Sequence, residues 1–288
     1  MSVAVLSRYG RSFRLAGRLL PGDCLRDAAT LYAFCRAVDD LADETTDPIA
    51  ARADLLALRG AVIAGDRSHV LAQPFISLRD SHGAGTASAV TLIDTVLRDL
   101  QPMRLADEAA LMDYAYGAAG TVGEMMCAVL GVSSVQALPY AVDLGMAMQL
   151  TNIARDVIED ADNGRVYLPA AWLPDDVTPG ILPSRPEAVF AAVERLLAGA
   201  ERCYRSGEQG LVFLPPRVRP AIRAAARIYE EIGLRILRKG PAYLAARRVV
   251  VPMHRKMVLL VSSVLDTKPV TVPAAFLLAL PDGPGAGR

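Results

Sequence analysis

Gln149-Leu150-Thr151-Asn152-Ile153-Ala154-Arg155-Asp156-Val157-Ile158-Glu159-Asp160 is the stretch on which the reading of this chain turns. Asp156 and Asp160 are four residues apart, so on a helix they share a face one turn apart. Asn152 and Gln149 extend the same polar stripe toward the N-terminus, while Leu150, Ile153, Ala154 and Val157 fill the neighbouring faces. Like charges at this spacing destabilise a bare helix. An isolated pair of this kind is most often a solvated acidic face. The alternative is a carboxylate pair for a hard divalent cation that prefers oxygen ligands, Mg2+ above all.

A second copy changes the balance. Cys35-Arg36-Ala37-Val38-Asp39-Asp40-Leu41-Ala42-Asp43 places Asp39 and Asp43 at the same spacing, again within a helical pattern. Two such helices face to face would hold several Mg2+ ions, which bind a diphosphate and stabilise it as a leaving group. A carboxylate-only ligand set argues against zinc. Arg36 precedes Asp39 by three residues, and its planar fork suits carboxylate or phosphate oxygens.

Composition narrows the classes. The chain has 288 residues, 52% of them hydrophobic, and a formal net charge of zero. A large core is expected, and there is no field to steer the chain toward nucleic acid. Cys24, Cys35, Cys127 and Cys203 form no metal-ligand spacing and read as core thiols of a reducing cytoplasm. No apolar run is long enough to cross a membrane, and Met1–Gly10 lacks the apolar core of a signal peptide.

Helical signals recur along the chain, and no hairpin pattern of alternating strands appears. Helices are expected at Ser7–Leu20, from an Asp23 cap to about Thr45, from Pro48 to Ala64, and over Thr86–Leu100. Asp107 is read as the cap of one long helix through Leu130, and Ser133 or Ser134 as the cap of the helix carrying the second acidic pair. Further helices are expected over Pro186–Gly210, Pro216–Lys239 and Met257–Leu265, with short helices and loops over Gly65–Gly85. The fold class is all-α: one domain over residues 1–280, a bundle around a central cavity, with a disordered tail at 281–288. Gly117, Gly120 and Gly123 sit inside an expected helix, where each costs about 1 kcal/mol against alanine. Close helix packing is one reason for them; a smooth cavity wall is the other.

Asn152-Ile153-Ala154-Arg155-Asp156-Val157 with Asp160, followed by Gly164-Arg165-Val166-Tyr167-Leu168-Pro169, resembles a motif of the squalene and phytoene synthases. Tyr32-Ala33-Phe34-Cys35-Arg36-Ala37-Val38-Asp39-Asp40 resembles their first acidic motif. The likeness runs from about Ser12 to about Leu265 and is nearest to the bacterial phytoene synthases. It implies the isoprenoid-synthase fold and Mg2+, with Mn2+ as a substitute, held by Asp39, Asp43, Asn152, Asp156 and Asp160. It further implies diphosphate neutralised by Arg36, Arg155, Arg248 and Lys256, with Gln149 and Asn152 orienting ligands and Ser12 near the bound diphosphate. Tyr32, Tyr116 and Tyr229 would stabilise cations or orient a diphosphate, with Tyr116 facing the pocket and the glycines beside it forming its wall.

The implied reaction joins two molecules of geranylgeranyl diphosphate through prephytoene diphosphate to phytoene, with no nicotinamide cofactor. The alternatives are a C30 enzyme acting on farnesyl diphosphate and a catalytically silent assembly or membrane partner of the same fold. A cytoplasmic protein is expected, in peripheral contact with the membrane's inner face through Val249–Val251 and Met253 within a basic stretch, and with other carotenoid-pathway enzymes as partners.

Overall fold

The computed structural model describes residues 15–266 apart from 44, 176 and 246–247. The start of the first expected helix, Ser12, Arg247 and the tail lie outside the described residues. Helix α1 spans Gly22–Asp43, directly after Pro21. Asp23, expected as its cap, lies inside its first turn, where a carboxylate favours the positive end of the helix dipole. Helix α2 (Pro48–Ala64) starts at Pro48 as expected and is capped by Asp47, whose Oδ1 accepts the Ile49 and Ala50 amides at 3.0 and 3.1 Å. Gly65, at φ 69°, ends it. The segment expected as short helices and loops contains α3 (Ala72–His82), and α4 follows at Thr86–Arg98.

Asp107 caps α5 (Glu108–Ala115) by accepting the Ala110 amide. The single long helix expected from there is broken: Tyr116–Gly120 form a π turn before α6 resumes at Thr121–Val129. Ser134 caps a short 3-10 turn, Val135–Ala137, that runs into α7 (Leu138–Asp162). Helices α8 (Pro186–Gly210), α9 (Arg219–Lys239) and α10 (Met253–Leu265) complete the bundle. One element was not expected: β1 (Met103–Arg104) and β2 (Arg165–Val166) pair in parallel, Met103 with Arg165 and Arg104 with Val166. Two-residue strands carry no periodicity to read, and their partners are distant in sequence.

Helix α7 is central, packing against α6, α8 and α9. Its Leu150, Ile153, Ala154, Val157 and Ala161 are buried in a core shared with Val189, Val193, Leu196 and Ala200 of α8. A second core joins Leu31, Phe34, Val38 and Ala42 of α1 to α2, α3, α4 and α6. Both acidic helices are thus anchored through one apolar face, which leaves an adjacent face for other work.

Candidate active site

That adjacent face lines a cavity of about 280 Å3. Helix α1 contributes Tyr32, Arg36 and Asp39; α7 contributes Tyr140, Leu144, Gly145, Met148, Gln149 and Asn152; α9 contributes Ile222, Ala225 and Tyr229. Ala16, Gly17, Val122, Met126, Leu130, Phe213 and Leu214 add apolar wall. The polar residues of α7, Gln149 and Asn152, stand at its middle, and Tyr140 near its start lies 12 residues before Asn152, about 18 Å along the helix axis. An apolar chain could therefore run down the cavity from a polar head.

Glycines let the walls close up. A Cβ on Gly145 would stand 2.1 Å from the Ala119 carbonyl oxygen, and one on Gly123 would stand 2.2 Å from that of Ala141. Gly123 also lines the cavity, but Gly117 and Gly120 do not. They admit Thr95 and the Tyr116 ring respectively, so close packing accounts for these two rather than a smooth wall.

The acidic residues divide between two openings. Asp39 faces the main cavity, 3.7 Å from Arg36, which also bonds Asp40. Asp156 opens instead on a second, polar cavity of about 390 Å3 with Arg155, Glu159, Tyr243 and Arg248. It accepts hydrogen bonds from Arg155, Nε at 2.8 Å, and from Arg248 Nη2 at 3.1 Å. Asp43 and Asp160 link the two electrostatically. Asp43 acts on Asp39 and Asp160, and Asp156 acts on Asp160.

Burial, opposed by Arg36 and reinforced by Asp43, pushes the Asp39 carboxyl up to about 7. The 37% of that side chain left uncovered opens into the cavity. Burial, then the neighbouring Asp156, pushes Asp160 up to about 8 against the pull of Arg165. Both carboxylates are thus poorly compensated as anions, a condition that a bound cation relieves.

Among the described residues, no three acidic, histidine or cysteine side chains stand at metal-holding spacing. Arginines pair with three of the four aspartates: Arg165 Nη1 donates to Asp43 at 2.7 Å, Asp156 takes Arg155 and Arg248, and Arg36 stands 3.7 Å from Asp39. The residues nonetheless fit a hard divalent cation. The donors are all oxygen, and Asn152 Oδ1 is a buried acceptor that finds no hydrogen-bond partner among the described residues.

Several other expectations meet the structure here. Tyr32 and Tyr229 do line the cavity, and burial raises the pKa of both phenols, keeping them neutral. Arg155, Arg248 and Arg36 all lie within electrostatic reach of Tyr229. Tyr116 does not face the cavity. The π turn swings it outward, it is 36% exposed, and its hydroxyl donates to Glu124 at 3.1 Å. Lys256 is half-buried in the first turn of α10 and lines neither cavity. Burial raises the Cys35 thiol, in keeping with a core thiol.

Sequence reasoning missed a polar group behind the acidic motifs. Asp99 accepts the hydroxyls of Tyr114 and Tyr167, each at 2.9 Å, and the two rings stack with centroids 4.5 Å apart. Arg165 and Tyr167 stand inside a motif quoted above; Asp99 follows a helix end with nothing in its local sequence to mark it.

A helical bundle enclosing an apolar cavity, with two acidic helices and several arginines at its polar end, defines a site for an anionic head on a long hydrocarbon. The chain belongs to the squalene/phytoene synthase family, whose model matches residues 6–255. It is 39% identical over 254 residues to a 15-cis-phytoene synthase from Paracoccus sp., covering 83% of this chain and 82% of that one. It is 36% identical to a phytoene synthase from Pseudescherichia vulneris, with 82% and 81% covered. Among solved structures, a dehydrosqualene synthase in complex with ligand superposes with a TM-score of 0.76 at 26% identity, covering 92% of this chain and 94% of that one. A squalene synthase from Alicyclobacillus acidocaldarius, at 22% identity, shares the fold with a TM-score of 0.72 over 83% of this chain and 94% of its own. The family is of the prenyltransferase type and works with divalent metal.

Proposed function

We propose that the protein joins two molecules of geranylgeranyl diphosphate head to head, through prephytoene diphosphate, to phytoene. The observation that carries this reading is the likeness, over four-fifths of both chains, to proteins named phytoene synthases. Asp39, Asp43, Asn152, Asp156 and Asp160 would hold Mg2+, which when bound supplies charge to a departing diphosphate. Arg36, Arg155 and Arg248 would bind diphosphate oxygens, Arg155 and Arg248 by exchanging Asp156 for them. Tyr32 and Tyr229 stand beside the head group, where neutral phenols can orient it or face a developing cation. The apolar walls keep water from the allylic cation until the second substrate's double bond takes it up. A C30 enzyme remains the competing reading, since the solved relatives named above act in that branch by name.

A competition assay decides between the two. With Mg2+, equal C15 and C20 diphosphates and no NADPH, the purified protein is expected to consume the C20 substrate and yield phytoene. Preference for C15, or hydrocarbon only on adding NADPH, overturns the reading. The same assay tests the basis of chain length. Ala16 and Gly17 line the cavity, and among the described residues a Cβ on Gly17 would meet the Leu25 Cδ1 methyl alone, at 3.2 Å. Gly17→Phe is expected to fill that wall and shift preference toward C15. Unchanged selectivity in a destabilised variant would reduce Gly17 to a packing residue.

We also propose peripheral membrane contact, through part of the stretch the sequence points to and the helix that continues it. Val249 and Val251 are core residues, 4% and 5% exposed, which removes them from any membrane face. Val250 and Met253 are exposed as expected, and helix α10 carries the apolar stripe on from Met253 through Met257, Val258, Val261, Val264 and Leu265, with His254, Arg255 and Lys256 at its start. Such a helix suits an anionic lipid surface. In liposome flotation, wild type is expected to rise with anionic vesicles, and a Val258→Glu/Val261→Glu variant to stay down. Failure of wild type to float with either anionic or neutral lipid rejects the contact.

A further inference from the structure

Arg165 occupies a place that neither acidic motif can ignore. It stands three residues beyond the end of α7, in the two-residue strand β2 that pairs with β1. The pairing is held by the Met103 amide on the Gly164 carbonyl at 3.2 Å and the Leu105 amide on the Val166 carbonyl at 3.3 Å. Thus anchored, the side chain is only 15% exposed and reaches across to α1, donating to Asp43 Oδ1 at 2.7 Å and to the Ala42 carbonyl at 3.5 Å. On its own side it acts electrostatically on Asp160. Behind it lies Asp99, fixed by the Tyr114 and Tyr167 hydroxyls and within electrostatic reach of Arg165. One guanidinium therefore touches the first motif, faces the second, and is backed by a third carboxylate that faces neither cavity.

Given the metal-dependent prenyl diphosphate reading of this site, we propose that Arg165 is a positioning residue. It is the internal counter-cation that holds Asp43 and Asp160 together before a divalent ion enters, and it thereby sets that ion's affinity, with Asp99 as its rear anchor. The physical basis is charge. Asp43 and Asp160 act on each other as like charges, and a fixed positive charge bonded to the first and acting on the second offsets that repulsion. The same charge opposes an incoming divalent cation. Asp99 counters the opposition by drawing on the guanidinium from behind; burial raises its carboxyl, and its two tyrosine donors and Arg165 oppose that rise while the hydrogen bonds hold it in place. Removing Arg165 and removing the charge of Asp99 must then act in opposite directions on metal binding. A residue that merely supported the fold would weaken binding in both cases.

The test is calorimetric titration of Mn2+ or Mg2+ into the full metal-free chain, with thermal melts in parallel. Arg165→Gln is expected to lower the melting temperature without metal yet bind the first divalent ion about tenfold more tightly. Arg165→Lys, which keeps a charge there, is expected to return the affinity toward wild type. Asp99→Asn is expected to bind the ion several-fold more weakly, and serves as the deciding variant if Arg165→Gln does not fold. If wild type binds the ion but Arg165→Gln binds it no more tightly, or Asp99→Asn no more weakly, the role of Arg165 is overturned and the metal reading stands. If wild type binds no divalent ion, the metal reading falls and this role falls with it.

Discussion

Exchanging Asp156 for asparagine is expected to lower product formation by roughly a hundredfold to a thousandfold while leaving the fold intact. The size follows from the several kcal/mol a divalent cation contributes to a departing anion, at about 1.4 kcal/mol per factor of ten. Asparagine keeps the shape of the side chain but offers one acceptor oxygen where the carboxylate offers two, so it can accept from Arg155 Nε or from Arg248 Nη2 but not from both as now. It removes the charge that those arginines and a metal ion would share. Circular dichroism of the variant should match wild type, and hydrocarbon yield per unit time from C20 diphosphate measures the loss. A folded variant within about fivefold of wild type would remove Asp156 from the metal set.

Gly145→Val is expected to destabilise the protein by about 3 kcal/mol or more, a loss typical of a forced overpacking against something that cannot move. The obstacle is backbone: the Ala119 carbonyl oxygen would lie 2.1 Å from the new Cβ. For a chain of this size that corresponds to a fall in melting temperature of roughly 6–12 °C. Gly60→Ala is the control. It sits inside α2 with nothing within 4 Å of an added Cβ, so alanine should raise stability by up to about 1 kcal/mol through helix propensity alone. Equal effects at the two positions would show that packing across the α7 crossing is not what Gly145 supplies.

Much of the helical order was legible because local chemistry fixes it. Asp47 with Pro48, Asp107 and Ser134 start their elements as their side chains require, and Pro186–Gly210 begins and ends where its sequence does. The cavity-facing positions of α1 and α7 were legible for the same reason, since residues three and four apart share a face: Tyr32, Arg36, Asp39 on one helix, Gln149 and Asn152 on the other.

Legibility stopped where the outcome depends on partners far along the chain. Asp43 finds Arg165, and Asp99 finds Tyr114 and Tyr167, through pairings that no local pattern announces. Val249 and Val251 look like a surface strip beside basic residues, yet they close the core around α7 and α8. Tyr116 was misplaced for a different reason: its helix does not keep one period.

That loss of period has a consequence for the reading frame of the cavity wall. A π turn holds one residue more than an α turn, and each residue of an α-helix advances the azimuth by about 100°. The surplus residue within Tyr116–Gly120 therefore sets the phase of all of α6 relative to α5. With it, Gly123 points at the Ala141 carbonyl and the hydrocarbon space, and Glu124 points away to receive Ser88 at 2.6 Å and Tyr116. In a regular α-helix of the same sequence each residue of α6 would advance by about 100°, so Glu124 would take the azimuth that the fully buried Met125 now holds, and a carboxylate would enter the apolar core. The π turn, rather than any choice of side chain, keeps that charge out of the core.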